Sequence, residues 1–318
     1  MKPPAAEPRR AVVTGGAGFI GSHLVEELLR RDARVTVIDD LSSGRADNLS
    51  AVRDRVDLEQ LDLAREDPRP VLAGADTVFH LAGYADIPRS VHEPRRDFEK
   101  NALATLNLLE AVREAEPGAR VLFASSAAVY GVGSERPLRE DDPPAPAAPY
   151  GVSKMAAERY VEVYARLYGL RTASLRLFPV YGPRLRAHVV YDLMRKVRDD
   201  PDELRIEGDG TQVRDFVHVS GAVEAFLTVA DRAPLGGETY NVASGEPVTI
   251  RDLAAMICER MGARPRFVYS GAVASGVSQK WAADTDRLRA LGYQPPLPLA
   301  EGLRGTVEWF GRLPVDAA

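Results

Sequence analysis

Three side chains in this sequence have the types and the order needed to move a proton: Ser126, Tyr150 and Lys154. Tyr150 and Lys154 lie four residues apart at the start of a stretch with helical patterning, so both project from one face. An ammonium beside a phenol stabilises the phenolate and lowers the tyrosine pKa. That would make Tyr150 a general base near neutral pH, where a free tyrosine is not. Ser126 follows the apolar run Val121–Ser125, which reads as a buried strand. At the carboxyl end of such a strand its hydroxyl would bind the same substrate oxygen as Tyr150, with Ser125 as the competing candidate. Both serines could instead bond locally to backbone.

A second constellation lies at the other end of the chain. Thr14–Gly21 reads TGGAGFIG, with Gly15, Gly18 and Gly21 spaced three apart between an apolar run and an amphipathic one. Small residues let the backbone turn tightly and approach a pyrophosphate. The following helix offers unpaired N–H groups and the positive end of its dipole. Asp39 comes 24 residues after Gly15, at the end of the second apolar run. A carboxylate there accepts both hydroxyl hydrogens of an adenosine ribose and repels a 2′-phosphate, which favours NAD over NADP. Asp62, after the third run, is placed either to meet the adenine edge or to cap a helix.

These residues need a scaffold, and the hydropathy pattern describes one. Ala11–Thr14, Arg34–Ile38, Val56–Leu61, Thr77–Leu81, Arg120–Ser125 and Thr172–Phe178 read as strands. Between several of them lie helical patterns over Phe19–Arg30, Ala102–Glu114 and Ser153–Tyr168. Strands alternating with helices imply right-handed crossovers and a parallel sheet. The expected class is α/β, a Rossmann-type doubly wound sheet over residues 1–180 to which residues 215–247 return. A smaller C-terminal α/β lobe, for substrate, is expected over 181–214 and 248–318. There, helices are expected at Tyr191–Arg198, Ser220–Ala230, Asp252–Met261 and Leu299–Phe310, and a short strand at Thr239–Val242. Residues 137–149 hold five prolines and cannot be regular structure. They read as a surface loop that, ending at Tyr150, could wall the active site.

Composition narrows the chemistry. The 318 residues carry 41 Lys+Arg against 46 Asp+Glu, a formal net charge of −5. Such a surface has no general attraction for nucleic acid or an anionic membrane. Cys258 is the single cysteine, so neither an intramolecular disulfide nor a thiolate metal cluster is expected. His23, His80, His92, His188 and His218 show no metal-ligand spacing. His80 and His218 read as structural, His80 bonding backbone. No signal-peptide-like run opens the sequence, and no 18-residue uncharged apolar stretch occurs in it, so a soluble cytoplasmic setting is the expectation. The chemistry must then come from a bound organic cofactor or from ordinary side chains.

The chain resembles the extended short-chain dehydrogenase/reductase family, in its NAD-dependent epimerase/dehydratase branch. The resemblance runs from about residue 10 to 311. It is carried by TGGAGFIGSHL (14–24), VIDDLSSG (37–44), FHLAG (79–83), LNLLEAV (106–112) with Asn101 before it, FASSAAVYG (123–131), PYGVSK (149–154), YGPR (181–184), GDGTQVRDFVHV (208–219) and YNVASGE (240–246). It implies that the backbone of Gly15, Gly18, Phe19, Ile20 and Gly21 holds the NAD pyrophosphate. Asp39, with Asp40 and Ser43, would face the adenosine ribose, and Asp62 and Leu63 would flank the adenine. Leu81, Ala82, Gly83 and Asn101 would run along the cofactor, with Tyr150 and Lys154 at its reactive end. Ser126, Tyr150 and Lys154 would be the catalytic set. Tyr84, Arg89, Ser126, Ala127, Pro179 and Arg214 would face a nucleotide-sugar substrate, with Arg214 on its diphosphate. The helices near 102–114 and 153–168 resemble those that pair across a two-fold axis in family dimers, so a homodimer is expected.

The resemblance also orders the branches. Dehydratases of the family carry an Asp-Glu pair just after the active-site hydroxyl residue, and decarboxylases commonly a Glu there. This chain has Ala127 and Ala128. Two methyl groups move no protons, which leaves 4-epimerisation, most simply of UDP-glucose and UDP-galactose. Two departures stand out. Pro179 occupies the place of a substrate-binding Asn, and Ala274 that of a second diphosphate-binding Arg. Arg184, Arg186 or Lys280 would have to substitute, or the sugar is a modified or non-UDP one.

Overall fold

The computed structural model describes residues 9–271 and 279–314, so Ala274 lies outside the described residues. Seven strands form the main sheet: β1 (Arg10–Thr14), β2 (Arg34–Ile38), β3 (Val56–Glu59), β4 (Thr77–His80), β5 (Arg120–Ser126), β6 (Arg171–Leu177) and β7 (Gly236–Val242). All neighbours pair in parallel, in the order β7-β6-β5-β4-β1-β2-β3. Helices cover both faces, which is why Val12, Val13, Val78, Phe79, Leu122 and Phe123 are all buried in near-continuous apolar runs. The winding direction reverses between β1 and β4, and in such sheets a crevice opens there at the carboxyl ends of the strands. Register places the chemistry at that edge. Thr14 pairs with Ile38 on one side and His80 on the other, so Gly15, Asp39 and Leu81 leave the sheet side by side.

Helix α1 (Phe19–Arg30) forms over the residues expected from periodicity. Its buried stripe, Leu24, Val25, Leu28 and Leu29, repeats at the spacing that faces a core. Each such leucine stabilises the packing by about 1.5–3 kcal/mol. The helix expected at Ala102–Glu114 begins earlier. Pro94–Phe98 forms α2, residues Glu99–Leu103 make one π turn, and α3 runs over Ala104–Ala115. Backbone dihedrals stay helical through the joints, so this is one helix with a π bulge. Helix α4 (Pro149–Tyr168) starts with proline in its first turn, where a missing N–H costs nothing, and ends on Gly169 at φ +70°.

The C-terminal part has a core of its own. Helices α5 (His188–Asp199), α7 (Ile250–Met261) and α8 (Leu299–Gly311) pack Met194, Leu253, Ile257, Leu303 and Phe310 together, beside a parallel pair of strands, Glu203–Ile206 and Arg266–Tyr269. Between them in the chain, α6 (Val219–Arg232) and β7 go back to the main sheet and α1.

Under the sheet edge lies a buried ion pair. Glu158 of α4 and Arg176 of β6 meet at 2.5 Å with side chains 5% and 3% exposed. Ser125 of β5 donates to Glu158 at 2.7 Å, and Arg176 donates to the Tyr130 hydroxyl at 2.8 Å, which in turn donates to Asn241 of β7 at 2.7 Å. The proline-rich segment closes this network, its Glu140 carbonyl accepting from Arg176 at 3.0 Å. The segment runs outside the cleft, so of the two possibilities the surface loop stands, and it holds Arg176 of β6 through that carbonyl. Replacing Glu158 by alanine would leave Arg176 charged and unpaired out of water. The expected loss is about 3–5 kcal/mol of unfolding free energy in a denaturant titration; a loss below about 1 kcal/mol would mean that the pair is replaceable.

Candidate active site

A cleft of about 920 Å³ opens at the switch point between β1 and β4 and extends under the C-terminal lobe. One end is built by the turn after β1. Gly15 sits at φ +69°, and a Cβ there would lie 2.6 Å from the Ala82 nitrogen. A Cβ at Gly21 would lie 2.1 Å from the Gly15 carbonyl oxygen. The helix after this turn has Gly18 at its N-cap, no side-chain cap and no acid in its first turn. Its leading N–H groups are thereby left for a ligand, and an anion suits them. Gly18, Phe19, Ile20 and Gly21 line the cleft.

Asp39 is fastened at both oxygens, accepting from Ala17 N–H at 3.0 Å and Leu41 N–H at 2.9 Å. Burial pushes its carboxyl above the usual range, and those two N–H groups oppose this. Asp40 and Asp62 converge on one ammonium that the sequence reading did not single out. Lys100, from the π turn, lies 2.6 Å from Asp40 and 2.9 Å from Asp62. Burial would raise Asp40, but Lys100 and Ser42 outweigh it and hold the carboxyl low. Asp62 also accepts from Ala64 N–H at 3.0 Å, but within a turn and not at a helix start, so the helix-capping alternative fails and the cleft-lining one stands. Two acids at this rim needing one counter-charge was the signal for Lys100. Ser43, Leu63, Leu81, Ala82 and Gly83 complete this wall.

Two residues expected at the wall lie behind it. Asn101 is 1% exposed, and its amide is taken up by the Tyr84 backbone, at 2.9 and 3.2 Å, and by Asp97 at 2.9 Å. It therefore fixes the Gly83–Tyr84 segment rather than reaching the cleft. Ala127 is also 1% exposed, packed with Val129, Leu138 and Phe178, because the chain turns inward in one 3₁₀ turn after Ser126. His80 differs from expectation in its partners. Its ring nitrogens meet the hydroxyls of Thr14 at 2.7 Å and Thr105 at 2.9 Å, not backbone. Burial pushes it down to about 3, so it is neutral. His218 caps α6 through Ser220 N–H.

At the middle of the cleft stand Ser126, Tyr150 and Lys154. The two serines separate cleanly: Ser125 is held by Glu158 beneath, whereas Ser126 lines the cleft beside Tyr150 and accepts from Ala128 N–H at 3.2 Å. Burial pushes the Tyr150 phenol up to about 12, ahead of neighbouring Ser126, which lowers it, and the Asp97 charge, which raises it. The lowered phenol expected from sequence is therefore not a property of the polypeptide alone. Lys154 is 4% exposed, donates to the Ala124 carbonyl at 3.0 Å and lies 4.9 Å from the Phe123 ring centre. Burial pushes its ammonium down to about 8, against the pull of Asp97.

The far end is lined by Tyr84, Arg89, Arg96, Pro179, Arg184, Arg186, His188, Arg214 and Trp281. Arg214 lies 5.3 Å from the Trp281 ring centre and donates to the Val213 carbonyl at 2.8 Å; burial pushes it down to about 10. Arg89 is half exposed and pairs with Glu93 at 3.1 Å. Arg184 is drawn to α1, reaching Ser22 at 3.1 Å and Glu26 at 2.5 Å. Lys280 bonds the Glu135 carbonyl at 2.6 Å and is not part of the lining. Nothing in local patterning marks Trp281 or His188, which the C-terminal lobe brings to the cleft.

Known proteins share this fold. The chain is 35% identical to a UDP-glucose 4-epimerase of Mycolicibacterium smegmatis over 308 residues, covering 95% of this chain and 98% of that one. A UDP-N-acetylglucosamine 4-epimerase from Methanobrevibacter ruminantium, solved with UDP-N-acetylmuramic acid, superposes with a TM-score of 0.89 at 34% identity, covering 96% and 99% of the two chains. The Thermus thermophilus UDP-glucose 4-epimerase in complex with NAD gives 0.85 at 35% identity, covering 96% and 100%. A glycine turn, an uncapped helix and a fastened Asp39 fit the same dinucleotide, and the family model for NAD-dependent epimerases and dehydratases matches residues 11–243. This chain belongs to that family, and its cofactor is NAD.

Proposed function

We propose that the protein is a nucleotide-sugar 4-epimerase, most simply of UDP-glucose and UDP-galactose. The observation that carries the reading is that Ser126, Tyr150 and Lys154 line one stretch of the cleft, with Lys154 anchored to the Ala124 carbonyl. When bound, NAD accepts a hydride from the sugar and returns it. The chain supplies the proton chemistry. Tyr150 takes the hydroxyl proton of the sugar carbon being oxidised, and Ser126 donates to the oxygen as charge gathers on it. Lys154 places a positive charge behind both, with one of its three N–H groups engaged by Ala124. The two residues after Ser126 are alanines buried at 1% and 7% exposure, so no acid or base stands there for elimination. The keto sugar is then left one course, reduction back to an alcohol. Gly15–Gly21 and Asp39 would hold the dinucleotide, and Arg214 beside Trp281 the substrate diphosphate.

Purified protein given UDP-galactose should form UDP-glucose, followed by proton NMR, with no net consumption of NAD. Tyr150→Phe should slow this by about 10²–10⁴-fold while the dinucleotide stays bound. Absence of conversion by the intact protein overturns the substrate; an unimpaired Tyr150→Phe overturns the base.

A second reading of the sugar has its own observation. Arg89 and Arg96 lie 5.7 and 5.0 Å from the Tyr84 ring centre at the sugar end, sharing one carboxylate, Glu93. A neighbour solved with an acidic UDP-sugar fits the same surplus of positive charge. In a thermal-shift comparison, a UDP-uronate stabilising the NAD-loaded protein more than UDP-glucose would favour this reading. Loss of that difference in Arg89→Ala would locate it, and equal shifts would dismiss it.

The reading includes a homodimer. Helix α4 leaves Val152, Tyr160, Leu167 and Tyr168 exposed, beside Phe98 of α2. Light scattering should give twice 34.6 kDa, and Leu167→Glu with Tyr160→Glu should return the monomer.

A further inference from the structure

Asp97 has no part in the scheme above, yet it is the least comfortable side chain near it. It is 1% exposed, on the last turn of α2, and its Oδ1 accepts from Asn101 Nδ2 at 2.9 Å. Among the described residues no hydrogen bond reaches its Oδ2. Ser153 faces it from α4 but gives its one proton to the Tyr150 carbonyl, at 3.0 Å. A buried carboxylate with an orphaned oxygen is costly, and such a group persists where something nearby profits from its charge.

The beneficiary is on α4. A methyl at Gly83 would sit 2.7 Å from the Asn101 amide oxygen and 2.9 Å from Lys154 Nζ. Lys154, Gly83, Asn101 and Asp97 are thus consecutive layers of one wall. The other titratable groups around Lys154 cancel or are neutral. His80 of β4 is uncharged, Tyr150 keeps its proton, and Glu158, one turn further along α4, is spent on Arg176. We infer that Asp97 is a positioning residue whose buried carboxylate, acting through the Asn101 layer, keeps the Lys154 ammonium charged inside the active-site wall. The inference rests on the reading of Lys154 as part of the reaction machinery.

The sign follows from the geometry. An anion favours the protonated form of a neighbouring amine, so removing it lowers the pH at which Lys154 loses its proton. Burial already pushes this ammonium down to about 8, so a further fall would leave it largely neutral near pH 8. The isosteric Asp97→Asn keeps an oxygen for Asn101 and removes only the charge. The chain has five lysines, Lys2, Lys100, Lys154, Lys196 and Lys280. A pH titration of the lysine ¹³Cε resonances in ¹³C-lysine-labelled protein therefore reads Lys154 directly, assigned by its absence in Lys154→Met. The expected result is a Lys154 midpoint about one unit lower in Asp97→Asn, with Asp97→Glu keeping most of the parent value. An unchanged midpoint in folded Asp97→Asn overturns the inference. If that variant does not fold, Asp97→Ser is read the same way. Because no substrate is used, a failure of the epimerase reading leaves this titration interpretable. If the epimerase assay also works, the alkaline limb of its pH profile should move down with the NMR midpoint.

Discussion

The ion pair between Glu158 and Arg176 is the constraint on which the site depends. Two charges placed out of water are costly unless each finds several partners. Here they find them by drawing four elements together: Glu158 is on α4, Arg176 on β6, Ser125 on β5, and Asn241, reached through Tyr130, on β7. Those contacts fix the rotation of α4 about its axis. Glu158 lies four residues beyond Lys154 and eight beyond Tyr150, so one helix face carries all three. Once Glu158 is tied under the sheet, Lys154 and Tyr150 must sit above it, at the carboxyl edge beside Ser126. The same network explains the division of labour between two adjacent serines. Alternate residues of a strand point to opposite faces, so Ser125 serves the buried pair and Ser126 the cleft.

The parallel sheet adds the second half of the arrangement. Register aligns the ends of β1, β2 and β4, and the three loops that leave them carry Gly15, Asp39 and Gly83. None of these loops is free to drift, because each is bound to another. Asp39 accepts from Ala17 N–H inside the glycine turn, and Ala82 N–H donates to the Thr14 hydroxyl at 3.1 Å. The chain is acidic overall, yet arginines gather where the C-terminal lobe meets the sheet. Local placement of a few guanidinium groups, rather than net charge, decides what an acidic protein can bind.

Much of this was legible in the sequence, and the limits have physical causes. The sheet strands and α1 follow from periodicity because their burial is set by the sheet alone. Asp39 and the Tyr150–Lys154 pair follow from spacing, since a strand end and one helical turn fix where they point. What spacing does not contain is pairing across 60 residues. Lys100 reads as one more exposed charge until β2 and β3 deliver Asp40 and Asp62 to it. Asn101 lies within the π turn at Glu99–Leu103, and the Tyr84 backbone and Asp97 hold its side chain behind the wall instead of in the cleft. Ala127 is misplaced in sequence reasoning for a similar reason, a single 3₁₀ turn that changes direction after Ser126. The phenol of Tyr150 is the sharpest difference. A four-residue spacing to lysine speaks of attraction, while burial, which spacing cannot show, acts first and in the opposite direction.

Burial also sets the terms on which the two titrating groups coexist. Desolvation penalises whichever form is charged, so it keeps Tyr150 protonated and lowers the pH at which Lys154 gives up its proton. Both effects oppose the phenolate–ammonium pair that base catalysis needs. A cationic neighbour would help the tyrosine but discharge the lysine further; an anionic one does the reverse. Asp97 acts on both, raising Tyr150 as well as Lys154. Such an arrangement is productive only if the ammonium is the scarcer of the two and the phenol gains its missing stabilisation elsewhere, from Ser126 and from the positive charge that an oxidised nicotinamide carries. The wall of the cleft is therefore built to hold one charge ready and to leave the other to be created when the site fills.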